Sequence, residues 1–301
     1  MPLTFTENTS IDFDVHGEGS PLILIGGLGF GRWGWFTQVP AFSRHFQTIT
    51  FDARGERGLE NGVADLAADV VALLDHLRVG KAHVLGTSLG GFVAQELALV
   101  RPDLVDWLIL VCTSYGGRGP ESMSPRSLAD MRGWGSFSAE DAVRRGLQMA
   151  TSDAYRTEHP EEFEQIMRWR LADSSSTAVH SEQARAGARF DLSRDVEHIT
   201  SPTLVIHGAE DRYVPAANAA ALAESIPGAR LRVLDRAGHL VFIERFAEVS
   251  REVVSFLKKP EKQGARRAPD PAPEAPQTER GFSGLPGVVY RWIRGVLARF
   301  R

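Results

Sequence analysis

A glycine–serine motif in the first third of the chain has the spacing of a nucleophile turn. Ser88 lies in Gly86-Thr87-Ser88-Leu89-Gly90, with one glycine two residues before it and another two residues after it. A serine hydroxyl is a weak nucleophile, so it has to project from a sharp turn close to a base. Larger side chains at the two glycine positions would collide in such a turn. The motif therefore predicts Ser88 as a catalytic nucleophile. The alternative is an ordinary glycine-rich turn whose serine has no catalytic role.

Two later positions carry the residue types that activate a serine. His239 follows one strand-like apolar run and precedes a helical pattern, and it is the predicted general base. Asp211 follows the preceding strand-like run and is the predicted acid, which would hold the imidazole tautomer and stabilise its cation. The neighbouring Glu210 is the alternative acid, and His207, at the end of a strand-like run, is assigned a structural role. The order Ser, Asp, His along the chain agrees with a serine on a strand-to-helix turn.

An oxyanion that develops on a substrate needs two backbone N–H donors. One donor is predicted at Leu89, which directly follows Ser88 and begins a helical pattern. The other is predicted at Leu28 in the loop Gly26-Gly27-Leu28-Gly29, where the glycines let the backbone approach the substrate. The predicted site therefore joins loops that follow separate strand-like runs.

The elements that must position these residues alternate along the chain. Short apolar runs predict strands buried in a mainly parallel sheet, and the stretches between them have the spacing of amphipathic helices. The predicted strands are Leu22–Ile25, Gln47–Phe51, Ala82–Leu85, Trp107–Cys112, Thr203–His207 and Arg230–Leu234, and the clearest helices are Ala64–Leu77, Leu89–Val100 and Glu244–Leu257. Residues Leu3–Val15 alternate like an antiparallel hairpin at the edge of the sheet. This alternation predicts an α/β fold with a mainly parallel, doubly wound sheet.

Residues 116–199 interrupt the strand pattern. They lack strand-like runs and contain amphipathic helical stretches such as Ala139–Met149 and Pro160–Leu171. Because the strand pattern resumes at Thr203, we interpret this segment as a mainly helical insertion into a core formed by residues 1–115 and 200–257. An independent helical domain is the alternative.

The composition changes after residue 257. Residues 258–280 are rich in proline and charge, which predicts a disordered or extended linker. Residues 281–301 are apolar on one helical face and carry arginines on the other, which predicts a basic amphipathic helix. Such a helix suits a membrane surface or the groove of a partner protein. The alternatives are a helix that packs back onto this protein and a tail with no role.

Composition limits the classes of function. The 301 residues carry a net charge of −4, which gives no electrostatic reason to expect a nucleic acid partner. A single cysteine, Cys112, excludes an internal disulfide framework and a cysteine-rich metal site. The first residues lack the features of a signal peptide, and no apolar run is long enough to span a bilayer. We predict a cytoplasmic protein and leave open a peripheral membrane association through residues 281–301.

With these residues identified, the chain resembles the α/β-hydrolase superfamily over residues 3–257. It is most similar to the group that contains 3-oxoadipate enol-lactonases, bacterial carboxylesterases, meta-cleavage C–C hydrolases and cofactor-free haloperoxidase-like perhydrolases. The resemblance implies a helical cap over the active site and no metal or organic cofactor. Two departures are Gly26, where many relatives have a histidine, and the short loop after Gly55. The matching positions are Gly26–Gly29, Trp35, Gln38, Asp52–Gly55, Gly86–Gly91, Arg101-Pro102, Pro202–Gly208, Asp211, Val214-Pro215 and Gly238-His239.

The predicted substrate pocket is apolar. Trp33 follows the oxyanion loop, Trp134 and Trp169 lie in the predicted cap, and these three are assigned to the pocket together with Leu240. Aromatic residues at helical spacing are more often core than pocket, which is the competing interpretation. Two further cap residues, Arg168 and Arg170, are candidates to bind a substrate carboxylate, against a solvated helix face.

These observations predict a serine hydrolase. Its substrate is expected to be a carboxylic ester or lactone with a small to medium apolar or aromatic acyl group, cleaved through an acyl-enzyme. Two alternatives use the same three residues, namely C–C bond hydrolysis of the meta-cleavage type and perhydrolysis. A non-catalytic protein that binds a ligand or a partner is the third hypothesis, and the predicted terminal helix is its motivation.

Overall fold

A computed structural model describes residues 2–6, 9–52, 59–60, 62–117, 121–132, 137–173 and 177–258, with backbone alone for residues 2–6, 9–10, 130–132 and 177–178. Trp134, residues 259–280 of the predicted linker and the predicted helix at 281–301 lie outside these ranges, so those predictions stand as they were made. No helix among the described residues is long and apolar enough to cross a membrane.

An eight-stranded sheet runs through the described part of the chain, in the order β1-β2-β4-β3-β5-β6-β7-β8. The first two strands form an antiparallel hairpin at one edge, and every neighbouring pair from β4 to β8 is parallel. The strands are β1 Pro2–Thr6, β2 Thr9–His16, β3 Pro21–Ile25, β4 Gln47–Phe51, β5 Ala82–Thr87, β6 Val105–Val111, β7 Thr203–Gly208 and β8 Arg230–Leu234. The predicted α/β fold class is confirmed.

Alternate residues of the central strands pack into two separate hydrophobic cores, one on each face of the sheet. In β3, Ile23 and Ile25 face one core while Leu22 and Leu24 face the other, and all four are buried. Successive strand side chains point to opposite faces, so a run that is apolar at every position covers both cores. Each buried leucine or isoleucine contributes about 1.5–3 kcal/mol to the free energy of folding.

Helices cover both faces of this sheet. The first core is closed by α2 Val63–His76, α3 Leu89–Val100 and α9 Ala216–Ser225. The second core is closed by α1 Gln38–Phe42, α10 Val241–Glu244 and α11 Phe246–Leu257. This arrangement is the doubly wound layering that strand–helix alternation predicts.

Among the residues described between β6 and β7, five α-helices follow one another. They are α4 Pro125–Arg132, α5 Ala139–Ala150, α6 Asp153–Glu158, α7 Pro160–Ala172 and α8 Thr177–Arg189. Serine side chains cap two of them, because the Ser138 hydroxyl accepts from Asp141 N and the Ser152 hydroxyl from Tyr155 N, both at 3.1 Å. These helices fall within residues 116–199, where a cap is predicted. The division of the chain into core and cap stays a prediction.

Three local features differ from the sequence predictions. The last strand, β8, is exposed except at Leu234, because it pairs only with β7 and forms the edge of the sheet. Strand β6 ends one residue earlier than predicted, since Cys112 has a φ of +47° that no strand residue adopts. The helix predicted over Glu244–Leu257 is α11, which begins two residues later than predicted because Arg245, with a φ of −117°, separates it from the short helix α10.

Candidate active site

The predicted nucleophile occupies a strained turn between β5 and α3. Ser88 has φ +52° and ψ −118°, a conformation that L-residues rarely adopt. Hydrogen bonds fix its backbone: Ser88 N donates to Val111 O at 2.9 Å, and Ser88 O accepts from Thr113 Oγ1 at 2.8 Å, from Gly91 N at 2.9 Å and from Phe92 N at 3.3 Å. The strain is therefore held by the neighbouring strand, and the turn has the form that a projecting serine requires.

The two glycines of the motif are needed because backbone atoms lie where their side chains would be. A Cβ on Gly86 would lie 2.2 Å from the carbonyl oxygen of Gly90, and a Cβ on Gly90 would lie 2.2 Å from the carbonyl oxygen of Ile25. Both distances are far inside van der Waals contact with atoms that cannot rotate away. The glycine spacing thus has a steric cause in this turn.

We expect the Gly90→Ala substitution to destabilise the fold. The added methyl group has to displace the backbone of β3, and overpacking of this kind costs about 1–3 kcal/mol. Gly80→Ala is the matched control, because nothing lies within 4 Å of the position of its Cβ. Urea unfolding should show a lower midpoint for Gly90→Ala, and for Gly80→Ala a free energy of unfolding within about 0.5 kcal/mol of the parent value. Equal midpoints for the two variants would contradict the steric account.

The predicted base and acid are hydrogen bonded to each other. His239 Nδ1 lies 2.7 Å from Asp211 Oδ2, and the Asp211 side chain is fully buried. The other oxygen, Asp211 Oδ1, accepts from the backbone N–H groups of Tyr213 and Val214, each at 2.9 Å. The acid is thereby fixed by its own loop and oriented toward the imidazole. Glu210, the alternative acid, is exposed.

The pKa of Asp211 lies well below its ordinary value. Burial by itself would raise this pKa, but the charge of His239 and the hydrogen bonds from His207 and His239 stabilise the carboxylate more strongly. The acid is therefore ionised throughout the pH range in which an imidazole can accept a proton. An ionised partner is what an imidazole needs when it takes up positive charge.

A second histidine, His207, touches the acid, which the sequence analysis did not foresee. It is fully buried on β7, and its Nε2 lies 3.2 Å from Asp211 Oδ2 and 2.8 Å from the carbonyl oxygen of Val214. Because a carbonyl only accepts, Nε2 carries the hydrogen, and His207 donates toward the acid loop. Its position four residues before Asp211, at a strand end, is the one signal in the sequence that could have indicated this contact.

The strand order brings the loops that carry Ser88, Asp211 and His239 to the same edge of the sheet. Strands β5, β6, β7 and β8 are consecutive and parallel, so their carboxyl ends meet. Cys112, just past β6, connects the loops: its N–H donates to Ile206 O at 3.0 Å, and its Sγ lies 3.7 Å from Gly238 O. Ser88 is bonded to the preceding residue, Val111. The nucleophile turn thus contacts Val111, and the histidine loop contacts the next residue, Cys112.

The predicted oxyanion loop approaches the nucleophile closely. A Cβ on Gly27 would lie 3.1 Å from Ser88 Cβ, and the turn through Leu28 and Gly29 is closed by Phe30 N donating to Gly27 O at 3.0 Å. The Leu28 side chain is 42 % exposed, so this residue can serve the site through its backbone. Leu89, the other predicted donor, is the first residue of α3.

Gly26 stands where many relatives have a histidine, and this difference has a steric reason. A Cβ on this residue would lie 2.3 Å from the carbonyl oxygen of Phe30, so the loop leaves no room for the histidine of many relatives. The loop is held from its other end by Asp52, which accepts from Arg32 N and from Arg32 Nε, both at 2.7 Å. The backbone of this loop is therefore braced without a side chain at position 26.

The predicted pocket residues have different surroundings. Trp33 and Trp169 are half-buried neighbours with ring centroids 6.4 Å apart, and Trp33 Nε1 donates to Asp173 Oδ2 at 2.8 Å. Leu240 is 3 % exposed and packs in the second hydrophobic core. Trp134 lies outside the described residues. The assignment of these four residues to a pocket stays a prediction.

The two candidate arginines of α7 point in different directions. Arg168 is exposed and its Nη2 donates to Gln165 Oε1 at 2.7 Å, as expected for a solvated helix face. Arg170 is turned inward: a Cβ on Gly29 would lie 2.3 Å from its Nη2. The Arg170 pKa is lowered by burial, although Asp173 partly offsets that effect. Only Arg170 of the pair lies against the oxyanion loop.

Cys112, His207 and Asp211 come close enough together to share a metal ion. The chemistry of the donors opposes this use, because burial and the charge of Asp211 raise the pKa of the Cys112 thiol and disfavour a thiolate ligand. Asp211 already accepts four hydrogen-bond contacts from His239, His207, Tyr213 and Val214. These three side chains are better understood as the packing around the acid.

Comparison with known proteins places this site in a family. The profile of the alpha/beta hydrolase fold family matches residues 20–246. The chain therefore belongs to the α/β-hydrolase family, and it is an enzyme of that family.

Solved structures with the same fold give the resemblance more detail. The chain is similar to an N-acyl homoserine lactone degrading enzyme, with 28 % identity and a TM-score of 0.72 over 83 % of this chain and 98 % of the other. A meta-cleavage product hydrolase from Pseudomonas fluorescens IP01 is 25 % identical, with a TM-score of 0.70 over 83 % and 94 %. The enol-lactonase from Burkholderia xenovorans LB400 shares the fold at 24 % identity, with a TM-score of 0.74 over 84 % and 98 %. The predicted resemblance to this group is confirmed.

Proposed function

We propose that this α/β-hydrolase is a serine hydrolase that cleaves a carboxylic ester or lactone through an acyl-enzyme. The observation that carries the proposal is the 2.7 Å contact between His239 Nδ1 and the buried Asp211 carboxylate, at the sheet edge where Ser88 occupies its strained turn. A buried carboxylate that orients an imidazole, at the same edge of the sheet as a serine on a strained turn, suits acyl transfer.

Each residue has a definite task in this reaction. Ser88 Oγ attacks the substrate carbonyl carbon while its proton passes to His239 Nε2, and the carbonyl electron pair moves onto oxygen. The C–O bond then breaks, and His239 gives its proton to the departing oxygen, which leaves as an alcohol or as the free hydroxyl of an opened lactone. Water repeats the sequence: its proton goes to His239, its oxygen bonds to the acyl carbon, and the acid leaves as Ser88 regains its proton.

The oxyanion formed in both steps would be stabilised by the backbone N–H groups of Leu28 and Leu89. One such donor contributes about 2.7–4 kcal/mol to transition-state stabilisation. The close approach of Gly27 to Ser88 supports Leu28 as a donor, and the helix that begins at Leu89 adds its positive N-terminal end. The half-buried pair Trp33 and Trp169 supports an apolar or aromatic acyl group of small to medium size.

Covalent labelling tests this proposal directly. A fluorophosphonate probe should modify the folded protein once per chain, with the added mass on the peptide that contains Ser88. The urea-unfolded protein is the control and should not react, because an isolated serine hydroxyl lacks a positioned base. A folded protein that resists the probe would contradict the serine mechanism.

A substrate panel separates the chemistries that share these residues. We expect hydrolysis of p-nitrophenyl butyrate and of an apolar δ-lactone by the protein that the probe labels, and loss of both activities after labelling. Turnover of a vinylogous diketone without any ester or lactone cleavage would instead assign the site to C–C bond hydrolysis. Labelling at Ser88 without turnover of any of the three would contradict the proposed substrate class.

A further inference from the structure

The C-terminal end of α5 accepts hydrogen bonds from two loops, the acid loop that carries Asp211 (residues 209–215) and the histidine loop that carries His239 (residues 235–240). From the acid loop, Tyr213 OH donates to Gly146 O at 3.2 Å, and Arg212 Nη2 donates to Gln148 O at 2.7 Å and to Thr151 O at 2.9 Å. The last carbonyls of a helix have no partners within the helix, and they attract cations such as this guanidinium. The acid loop is thus docked on the end of α5.

The histidine loop docks on the same place. Leu240 N donates to Ala150 O at 3.0 Å, and a Cβ on Gly238 would lie 2.8 Å from that same oxygen. The residues on both sides of His239 therefore lie against the junction of α5 and α6. This contact leaves the backbone on either side of the imidazole little freedom to shift.

One carboxylate ties the histidine loop to this junction. Glu244 ends the short helix α10, which begins two residues after His239. Its Oε1 accepts from Gly238 N at 2.9 Å, and its Oε2 accepts from Ser152 N at 2.8 Å, across 92 residues of sequence. The two oxygens of one side chain thus bridge the residue before the predicted base and the first turn of α6.

We propose that Glu244 is a positioning residue that fixes His239 by joining its loop to the α5–α6 junction. The inference rests on the proposed function, because it assumes that His239 is the general base. Positioning of this kind matters for rate: a displacement of about 1 Å in a catalytic group can cost about a hundredfold. Glu244 touches no reacting atom in this scheme and acts only through the loop.

The two hydrogen bonds that the Glu244 carboxyl group accepts fit a bridging role. Burial raises the pKa of its carboxyl group, and the hydrogen bonds from Ser152 and Gly238 act against that rise. Both oxygens are used as acceptors, so a glutamine of the same shape can serve only one of the two N–H groups and presents a donor to the other. Glu244→Gln therefore disturbs the bridge with little change of volume.

The first experiment compares Glu244→Gln with Glu252→Gln. Glu252 lies on α11 and pairs with Arg232 of β8 at 3.7 Å, so it is the matched control. We expect Glu244→Gln to lower kcat by about 10- to 100-fold, with KM changed by less than about threefold. The concentration of active sites used to calculate kcat is measured by titration with the fluorophosphonate probe. The control should keep the parent kcat and KM. In proton NMR spectra, the low-field resonance of the His239 Nδ1–H···Asp211 hydrogen bond should shift or broaden only in Glu244→Gln.

A second pair of variants removes the other end of the bridge. Ser152 has φ −67°, which proline adopts without strain. Ser152→Pro therefore removes the N–H that donates to Glu244 and keeps the backbone conformation. Ser152→Ala keeps that N–H and loses only the hydroxyl that caps α6. We expect kcat to fall in Ser152→Pro and not in Ser152→Ala. This comparison leaves Glu244 in place, so it remains informative if Glu244→Gln does not fold.

The outcomes separate this inference from the proposed function. Parent values of kcat in both Glu244→Gln and Ser152→Pro, with Ser88 still labelled, would overturn the positioning role and leave the serine mechanism intact. Lower thermal stability with an unchanged kcat per labelled site would also overturn it, since a purely structural role predicts that result. Absence of labelling in the parent protein would overturn the proposed function itself.

Discussion

Ser88→Ala is expected to abolish turnover, with a loss in kcat of roughly a millionfold. The substitution removes the only atom that forms the covalent bond in the proposed mechanism, while the proposed oxyanion donors and the residues assigned to the pocket remain. The backbone should tolerate alanine, because Ser88 already holds its left-handed φ of +52° with a Cβ and no glycine-like freedom is lost. Hydrolysis of p-nitrophenyl butyrate by the purified proteins, followed with thermal melting, measures both effects.

Ser193→Ala controls for the loss of any serine hydroxyl, since Ser193 is exposed and its backbone N–H bonds Asp191. It should keep the parent rate, and Ser88→Ala should melt within a few degrees of the parent. Retention of even one hundredth of the parent kcat in Ser88→Ala would show that another group attacks the substrate. The serine mechanism would then fail, although the family membership would stand.

The tight turn around Ser88 is the feature of the candidate site that was most predictable from sequence, and the reason is steric. Gly86 and Gly90 must lack side chains because backbone oxygens occupy the space, so the requirement appears in the sequence as a fixed local spacing. The strands could be predicted equally well from sequence. Neighbouring side chains such as Ile23 and Leu24 face different hydrophobic cores, so the whole run is apolar. Both features depend on residues that are close together in the chain.

Contacts between residues that are far apart in the chain could not be predicted from sequence in the same way. Nothing near Glu244 in the sequence indicates Ser152, its partner 92 residues earlier. The contact between His207 and Asp211 depends on how the chain turns after β7, and the histidine alone reads as a strand end. Arg168 and Arg170 have the same residue type on one helix, and only the packing of α7 against the oxyanion loop distinguishes them.

Asp211→Asn is expected to lower kcat by about ten-thousandfold with little change in the site's shape. The amide keeps an oxygen for the N–H groups of Tyr213 and Val214, but it removes the negative charge that stabilises the His239 imidazolium and no longer selects the tautomer with hydrogen on Nδ1. Glu210→Gln is the matched control, because this exposed neighbour is the alternative acid. Parent activity in Asp211→Asn together with a large loss in Glu210→Gln would reassign the acid.

The same substitution should change how stability depends on pH. The pKa of Asp211 is lowered in the folded protein, so the ionised carboxylate contributes stability that is complete above the unfolded-state pKa of about 3.9. That contribution is lost as the pH falls toward the lowered pKa of the folded state. Urea unfolding at pH 6 and at pH 3.5 should therefore show a larger drop in the free energy of unfolding for the parent than for Asp211→Asn. An equal drop in the two proteins would mean that the buried carboxylate gains no stabilisation from His207 and His239 on folding.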